Sequence, residues 1–472
     1  MSEGRPLGLL EAAALLRSRK ISAVELLAQC QAVIEQRNGG QPSFDGAPEA
    51  VNAWVGLYPE RAERQARAAD ERLARERDGA PLVCGIPIAL KDLYAVKGLP
   101  LTASSRVLEG NVADADCEVW SRLHAQGMVL VGHTHTHEFA AGGTTDQVAN
   151  PHDLARSAGG SSGGSGAALA AGMVPAALGT DTAGSLRIPA ALCGVSTIKP
   201  THGRVPIDGV IPLAPSFDHS GPMARSVADC AALLEAMARG GGQRTPLMPP
   251  PQPLAALATT ARAAAKPLAG ARVALTDRPA RAGIEHDVAH GLDSARAALE
   301  RLGAETVQIA APAIGAWAEF TVILLSEAGA HHARYAERSH LYRTSIREFV
   351  QASAAFTSSA DYIDAQAKRA ATSAAWEDWF AEHALDAVLE PTVPTTAPLR
   401  GEGYDSGRLA GELDPLIALT ATWDTTGFPV VALPAGRGPR SGLPVGVSLI
   451  APRGREGELV RLAVDLQEHE LG

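Results

Sequence analysis

Short apolar runs alternate with stretches of helical spacing along most of the first half of the chain. Ser22 and Glu25 have the spacing of a capping box, which predicts the beginning of a helix. The predicted helices in this half cover residues 22–35, 59–77, 118–126 and 165–172, and the predicted strands cover residues 85–92 and 128–131. Strands that alternate with helices predict an α/β fold.

The second half continues this pattern on both sides of one long helical stretch. Its predicted strands cover residues 272–277, 305–309, 387–389, 430–434 and 445–450, with a helix at 286–302 and mostly helical chain at 316–383. Residues 240–253 are rich in Gly and Pro and are the best candidate for a linker or a surface excursion. We see no internal repeat, and we expect one large α/β domain.

The composition excludes several classes of protein. The net charge is −10, and charges of both signs are mixed along the chain, without the basic blocks typical of nucleic-acid binding. The five cysteines are scattered without metal-ligand spacing, as is typical of reduced thiols in a cytosolic protein. Glu11 interrupts the first apolar stretch, and no apolar run has membrane-spanning length. We therefore expect a cytoplasmic protein that binds neither nucleic acid nor membrane.

Two Gly-rich segments, 159–166 and 179–187, each contain a serine in a flexible loop. Glycine permits backbone conformations and close approaches that expose N–H groups. Exposed N–H groups beside Ser161 or Ser185 are what an acyl-transfer site needs, because they stabilise a developing oxyanion. The alternative is that both residues are structural serines of turns or helix caps.

Lys91 follows an apolar run, so its side chain is expected at a strand end that faces the protein interior. Only six of the 42 basic residues are lysines, and a buried lysine, unlike an arginine, readily loses its proton. Lys91 is therefore a candidate base near neutral pH. A salt bridge with Asp92 is the alternative interpretation.

Together these residues resemble the amidase signature family. The resemblance covers nearly the whole chain, is weakest between about 240 and 385, and rests on several motifs in the same order. The matching segments are 85–92, 159–165, 179–190, 193–201, 218–224, 389–392, 427–429 and 443–446.

The resemblance implies a Ser–Ser–Lys mechanism without a metal or another cofactor. Lys91 would be the base, Ser161 the bridging serine that follows a cis peptide bond, and Ser185 the nucleophile. Asp181 and Arg187 would support the nucleophile loop. The implied oxyanion donors are the backbone N–H groups of Thr182, Ala183, Gly184 and Ser185. The implied fold is α/β, with a large mixed β-sheet core surrounded by helices. The domain would span residues 1–472, with the catalytic core at 60–235 and a more variable helical pocket region at 312–385.

The chain departs from the family pattern at three places. Residues 132–135 read Gly-His-Thr-His where Gly-Lys-Thr-Asn is usual, Ala183 replaces a common glycine, and Asp424 stands where asparagine is frequent. None of these changes affects the three implied catalytic residues, but each is expected to alter the pocket.

Two other motifs suggest different chemistry. Residues 160–164 satisfy G-x-S-x-G with Ser162 as nucleophile, but an α/β-hydrolase elbow needs an apolar strand before it, and residues 150–158 are polar. The same loop lacks the Lys-Ser/Thr ending of a P-loop. His133, His135 and His137 alternate as ligands on one strand face would, which is the pattern of a metal-dependent amidohydrolase.

We therefore expect an amide hydrolase for a small, aryl or hydrophobic substrate, with water as the acyl acceptor. A carbamate or aryl-acylamide hydrolase, the amidase subunit of a tRNA-dependent amidotransferase, and the metal-dependent enzyme are the alternatives. Candidate pocket residues are His135, Phe139, Gly142 and Gly143, together with the helical region. The expected oligomeric state is a monomer or a homodimer.

Overall fold

The computed structural model describes residues 6–238, 253–259, 266–313, 317–401 and 414–468, so most of the predicted linker at 240–253 lies outside the described residues. Within them the strands are β1 Trp54–Leu57, β2 Pro87–Lys91, β3 Val129–Thr134, β4 Ala149–Asn150, β5 Asp153–Ser157, β6 Ala176–Asp181, β7 Ser196–Lys199, β8 His219–Ala224, β9 Arg272–Leu275, β10 Glu305–Gln308, β11 Ala387–Pro391, β12 Val430–Arg437 and β13 Pro444–Ile450.

Eleven of these strands form one mixed sheet in the order β1-β3-β2-β6-β8-β7-β12-β13-β11-β9-β10. Strand β2 lies parallel to both of its neighbours, β3 and β6. Strand β7 pairs antiparallel with β12, so the first and second halves of the chain contribute to the same sheet. The predicted α/β fold with a mixed sheet is confirmed, although β1, β7 and β8 were not among the predicted strands.

Helices cover the sheet, and the predicted ones are confirmed to within a few residues. The described α-helices are α1 Leu9–Arg17, α2 Ala23–Arg37, α3 Pro59–Glu76, α4 Glu118–Ala125, α5 Gly163–Ala170, α6 Arg187–Cys193, α7 Val227–Met237, α8 Leu254–Thr259, α9 Arg278–Ala282, α10 His286–Arg301, α11 Trp317–His332, α12 Thr344–Ser353, α13 Ser359–Glu382, α14 Ala421–Thr425 and α15 Glu456–Leu466. The predicted capping box is present, since Ser22 Oγ accepts from the Glu25 amide and Glu25 Oε2 accepts from the Ser22 amide.

Helices α11, α12 and α13 form the predicted helical region and pack against loops that follow β3 and β7. One apolar cluster joins Phe320 and Ile323 of α11 to Phe217, with Ala183 at its edge. A second cluster joins Phe139 to residues of α11 and α12. The helical region therefore contacts the segment that contains Ser185 and the segment that follows β3. Within the described part of the chain, no helix has the length and apolarity needed to cross a membrane.

Candidate functional site

Lys91 is the last residue of β2, an interior strand of the sheet, and is completely buried. Its Nζ donates to Ser161 Oγ at 2.7 Å and to Thr180 Oγ1 at 2.8 Å. The alternative salt bridge with Asp92 is wrong, because that carboxylate accepts hydrogen bonds from the side chain and amide of Thr102 and from the Ser104 amide. The lysine therefore faces hydroxyl groups.

Burial lowers the pKa of Lys91 to about 7, although the negative charges of Asp181 and Asp218 act in the opposite direction. A hydroxyl accepts a hydrogen bond from an ammonium group and can donate one to a neutral amine. The two partners of Lys91 thus suit both of its protonation states. This arrangement can take up and release a proton near neutral pH.

The Ser161 loop is fixed by close backbone contacts. The Gly160–Ser161 peptide bond is cis, as the resemblance implied. A Cβ on Gly160 would lie 2.2 Å from the Thr144 carbonyl oxygen, so only glycine fits at this position. The Ser161 carbonyl accepts from the His137 amide at 3.0 Å and from Thr145 Oγ1 at 3.2 Å. These contacts hold the Ser161 hydroxyl against Lys91.

Ser185 lies in the nucleophile loop, defined here as residues 181–187, between β6 and α6. The Ser162 amide donates to the Ser185 carbonyl at 3.2 Å, which places the two Gly-rich loops side by side. Asp181 Oδ1 and Oδ2 accept from the amides on either side of Ser185, those of Gly184 and Leu186, at 2.5 and 3.1 Å. Asp181 therefore braces both sides of the proposed nucleophile.

Arg187 holds Asp181 in turn. Its Nε donates to Asp181 Oδ2 at 2.9 Å and its Nη2 donates to Asp181 Oδ1 at 3.0 Å. Both side chains are completely buried, and a paired arrangement of this kind is stronger than a single neutral hydrogen bond. The predicted supporting pair thus has the expected geometry.

The set of oxyanion donors needs one correction. The N–H of Gly184 is donated to Asp181, so it is not directed at a substrate. Gly184 itself has φ +138°, and a Cβ there would lie 2.4 Å from Thr420 Oγ1. The amides of Thr182, Ala183 and Ser185 are the remaining candidates for an oxyanion hole.

Ser162 has a structural role. Its hydroxyl is completely buried, donates to the Thr180 carbonyl at 3.2 Å and accepts from the Thr180 amide at 3.3 Å. A serine that is bonded in both directions to one backbone unit ties the loop to β6. The G-x-S-x-G motif is therefore not a nucleophile elbow here.

The alternating histidines do not form a metal site. Strand β3 ends at Thr134, and His133 bonds through Nδ1 to Tyr58 and through Nε2 to the Tyr94 carbonyl. His135 bonds to different partners, Ser104 Oγ and the Ser43 carbonyl. Burial lowers the pKa of His133 and of His135 to about 4. Across the described ranges, no group of three His, Cys, Asp or Glu residues is arranged to hold a metal ion, so these histidines lack the arrangement that the metal-dependent alternative requires.

The candidate pocket residues have different environments. His135 is completely buried and hydrogen-bonded, so the structure does not place it at an open pocket. Phe139 is also buried, and its ring makes an edge-to-face contact with the His332 ring of α11, with 4.7 Å between the ring centroids. Gly142 is partly exposed and lies against the His137 ring, whereas the Gly143 amide donates to Asp414. Phe139 thus contacts the helical region, whereas Gly143 lies near Asp414 and Leu416, outside that region.

Sequence reasoning noted Asp424 only as a departure from the family pattern and missed that it belongs to a second buried polar group behind the nucleophile loop. This group contains Asp424, Lys199 and His219, all at most 2% exposed. Arg187 Nη2 donates to Asp424 Oδ2 at 2.5 Å, and Lys199 Nζ lies 3.1 Å from His219 Nε2. The scarcity of lysines is the one signal that draws attention to Lys199, as it does to Lys91.

Comparison with known proteins agrees with these observations. A profile of the family named Amidase matches residues 44–460. The sequence is 36% identical to one of the subunits of the glutamyl-tRNA(Gln) amidotransferase of Ralstonia nicotianae, over 96% of each chain. The structure resembles that of a vestigial protein complex that reveals the origins of an s-triazine catabolic enzyme (32% identity, TM-score 0.86, 99% of each chain). It also resembles peptide amidase from Stenotrophomonas maltophilia (27% identity, TM-score 0.82, 98% of this chain and 96% of that one).

Proposed function

The chain belongs to the amidase family, a family of hydrolases acting on C–N bonds, and from this premise we propose that it hydrolyses a carboxylic amide through an acyl-enzyme on Ser185. The 2.7 Å contact between the buried Lys91 Nζ and Ser161 Oγ is the observation that carries the proposal. A lysine with a pKa of about 7 is a base of suitable strength at neutral pH.

Ser161 passes a proton in both directions. Lys91 accepts the hydroxyl proton of Ser161 while Ser161 Oγ accepts that of Ser185, whose Oγ attacks the carbonyl carbon of the substrate. Backbone N–H groups of the nucleophile loop stabilise the resulting oxyanion. The proton then returns through Ser161 to the leaving nitrogen, and the C–N bond breaks. Water hydrolyses the ester by the same relay, which restores all three residues.

We propose that the substrate is small, or carries an apolar or aryl group next to the scissile bond. Ala183 is partly exposed beside Ser185 and packs against the apolar cluster of Phe217, Phe320 and Ile417. Apolar pocket walls with a few fixed polar groups are typical of sites for small organic ligands. A carbamate presents an equivalent carbonyl to the same residues, so these side chains serve either substrate.

A second candidate is the amidase subunit of a tRNA-dependent amidotransferase, favoured by the 36% identity over 96% of each chain to a protein of that kind. In that role the acyl-enzyme would form from glutamine, and partner subunits would use the released ammonia. Glutamine carries a charged amino group and a carboxylate, whereas Ala183 packs against an apolar cluster. This contrast favours simple hydrolysis.

The test is a substrate panel with the purified chain: a short aliphatic amide, an anilide, a dipeptide amide, an aryl carbamate and glutamine. Ser185→Ala is expected to abolish turnover of every accepted substrate. Ser162→Ala is the matched control and should keep turnover, because among the described residues that hydroxyl makes hydrogen bonds only with the Thr180 backbone. Turnover retained by Ser185→Ala would refute the nucleophile, and turnover of glutamine alone would favour the amidotransferase role.

A further inference from the structure

Two buried carboxyl groups share one guanidinium behind the nucleophile loop. Arg187 Nη2 donates to Asp181 Oδ1 at 3.0 Å and to Asp424 Oδ2 at 2.5 Å, and all three side chains are completely buried. No step of the proposed reaction uses Asp424. Two like charges this close in a site without solvent disfavour each other, and one of the two groups then tends to hold a proton.

Asp181 has the environment of an ionised carboxylate. It accepts four N–H bonds: from the amides of Gly184 and Leu186, and from Nε and Nη2 of Arg187. Burial alone would raise the pKa of Asp181, but the charge and hydrogen bonds of Arg187 outweigh it, and the pKa lies below its ordinary value. The negative charge of the pair therefore resides on Asp181.

Asp424 has far fewer donors. Its Oδ2 accepts from Arg187, whereas its Oδ1 is buried without a hydrogen-bond partner among the described residues. His219 Nδ1 lies 3.4 Å from Oδ1 but is directed at the Phe217 carbonyl at 2.5 Å. A completely buried carboxylate with a single shared donor is strongly destabilised, and a neutral carboxyl is destabilised far less.

We propose that Asp424 is a positioning residue that holds a proton at neutral pH and acts through Arg187 on the nucleophile loop. Its carbonyl oxygen accepts from Arg187, and its hydroxyl is available to the carboxylate of Asp181. Arg187 and Asp181 then form a pair with no net charge, and Asp181 keeps both N–H bonds that flank Ser185.

The surrounding charges are consistent with this state. The groups that face Asp424 are Asp181 at the end of β6, Arg187 on α6, Lys199 on β7 and His219 on β8, with Arg369 on α13 at longer range. Burial raises the pKa of Asp424 well above its ordinary value and Asp181 acts in the same direction, against Arg187 and Lys199. Burial and the nearby Lys199 hold the pKa of His219 well below its ordinary value, so His219 adds no charge.

Matched substitutions test the proposal through kinetic measurements. These measurements rest on the proposed amide hydrolysis. Asp424→Asn presents a neutral carboxamide of the same shape, and we expect kcat and KM within about threefold of the wild type at neutral pH. Asp181→Asn removes the charge that orients the loop, and we expect kcat to fall on the order of 100-fold or more. A fall of tenfold or more in the kcat of a folded Asp424→Asn variant would overturn the proposal.

Infrared spectroscopy tests whether Asp424 is protonated, without any assay of activity. At pH 8, the difference spectrum between the wild type and Asp424→Asn should contain the carbonyl band of a protonated carboxyl group. The buried carboxyl groups of Asp92, Asp218 and Asp414 have pKa values raised to about 6, so they are mostly ionised at that pH. A carboxylate band in place of the carboxyl band would overturn the proposal, whether or not an amide is hydrolysed.

The pH dependence of stability supplies a third readout. A carboxyl group whose pKa is raised on folding contributes stability below its unfolded pKa, and this contribution is lost as pH rises through the folded value. The Tm of Asp424→Asn relative to the wild type should therefore increase as pH rises above neutrality. A relative Tm that stays constant or decreases would contradict a proton on Asp424.

Discussion

Lys91 and Lys199 are two completely buried lysines at the ends of central strands, and burial lowers the pKa of each to about 7. Their partners differ. Lys91 contacts two hydroxyl groups, whereas Lys199 Nζ faces the Phe428 carbonyl at 2.6 Å, the Pro200 carbonyl at 3.4 Å and a ring nitrogen of His219.

The partners decide what each lysine can do. Carbonyl oxygens only accept hydrogen bonds, so the environment of Lys199 matches the three donors of an ammonium group. Hydroxyl groups donate as well as accept, so the environment of Lys91 also suits a neutral amine. Burial lowers the pKa of a lysine, but the lysine can exchange a proton with a reacting group only through a partner that also donates, such as a hydroxyl group.

Of the substitutions that test this comparison, replacing Lys91 should cause the largest loss of kcat. Lys91→Met removes the proposed base but keeps an unbranched, uncharged side chain in the buried site. We expect kcat to fall on the order of 10³-fold or more, because members of a catalytic unit act together. Ser161→Ala should cause a loss of similar size. Steady-state kinetics on the best substrate of the panel is the measurement, and a near-normal rate in either variant would refute the relay.

The pH profile of the wild type gives the next largest effect. Because the pKa of Lys91 is lowered to about 7, the neutral base is lost as pH falls through that value. We expect kcat/KM to fall about tenfold per pH unit below about 7 and to level off above it. Lys199→Met should leave the midpoint of this fall in place, since Lys199 does not contact the serines. A midpoint that shifts in the Lys199→Met variant would contradict the assignment of this titration to Lys91.

Sequence patterns predicted the parts of the site that are local in the chain. An apolar run before Lys91 indicated a buried strand end, and Gly-rich segments indicated loops that expose a serine. The structure contains that strand and brings Lys91 against Ser161. These features can be predicted from the sequence because strand burial and loop conformation depend mostly on residues close in sequence.

Contacts between distant segments were not predictable in this way. Arg187 and Asp424 are 237 residues apart, and tertiary contacts such as the pairing of β7 with β12 bring the second half of the chain to the nucleophile loop. Gly184 lies in a segment whose composition predicts oxyanion donors, but its N–H donates a hydrogen bond to the carboxylate of Asp181. The histidines at 133–137 match a metal-ligand pattern only if the strand continues, and it ends at Thr134. The Arg187–Asp424 contact was decided by a distant segment, whereas the Gly184–Asp181 bond and the end of β3 are local geometry that composition alone does not specify.

Thr180 offers a smaller test of the hydroxyl environment. Thr180→Val keeps the shape of the side chain but removes the oxygen that accepts from Lys91 Nζ. We expect kcat to fall about tenfold, because a hydrogen bond to a charged group contributes about 1.5–3 kcal/mol. The midpoint of the pH profile should also move down, since the ammonium form loses an acceptor while burial is unchanged. An upward shift would contradict the assignment of that midpoint to Lys91.

The smallest effect on activity is expected for Lys199→Met, whose main consequence should be a loss of stability. The Phe428 carbonyl loses its donor in a buried site, which costs about 1–3 kcal/mol in the free energy of unfolding. The wild type itself loses stability as pH falls from about 10 towards 7, because the folded pKa of Lys199 lies below its unfolded value. The variant lacks this contribution, so its deficit in urea unfolding should be largest near pH 10 and smallest near pH 7. A deficit that grows towards pH 7 would show that the ammonium form of Lys199 is stabilised more by its three acceptors than it is penalised by burial.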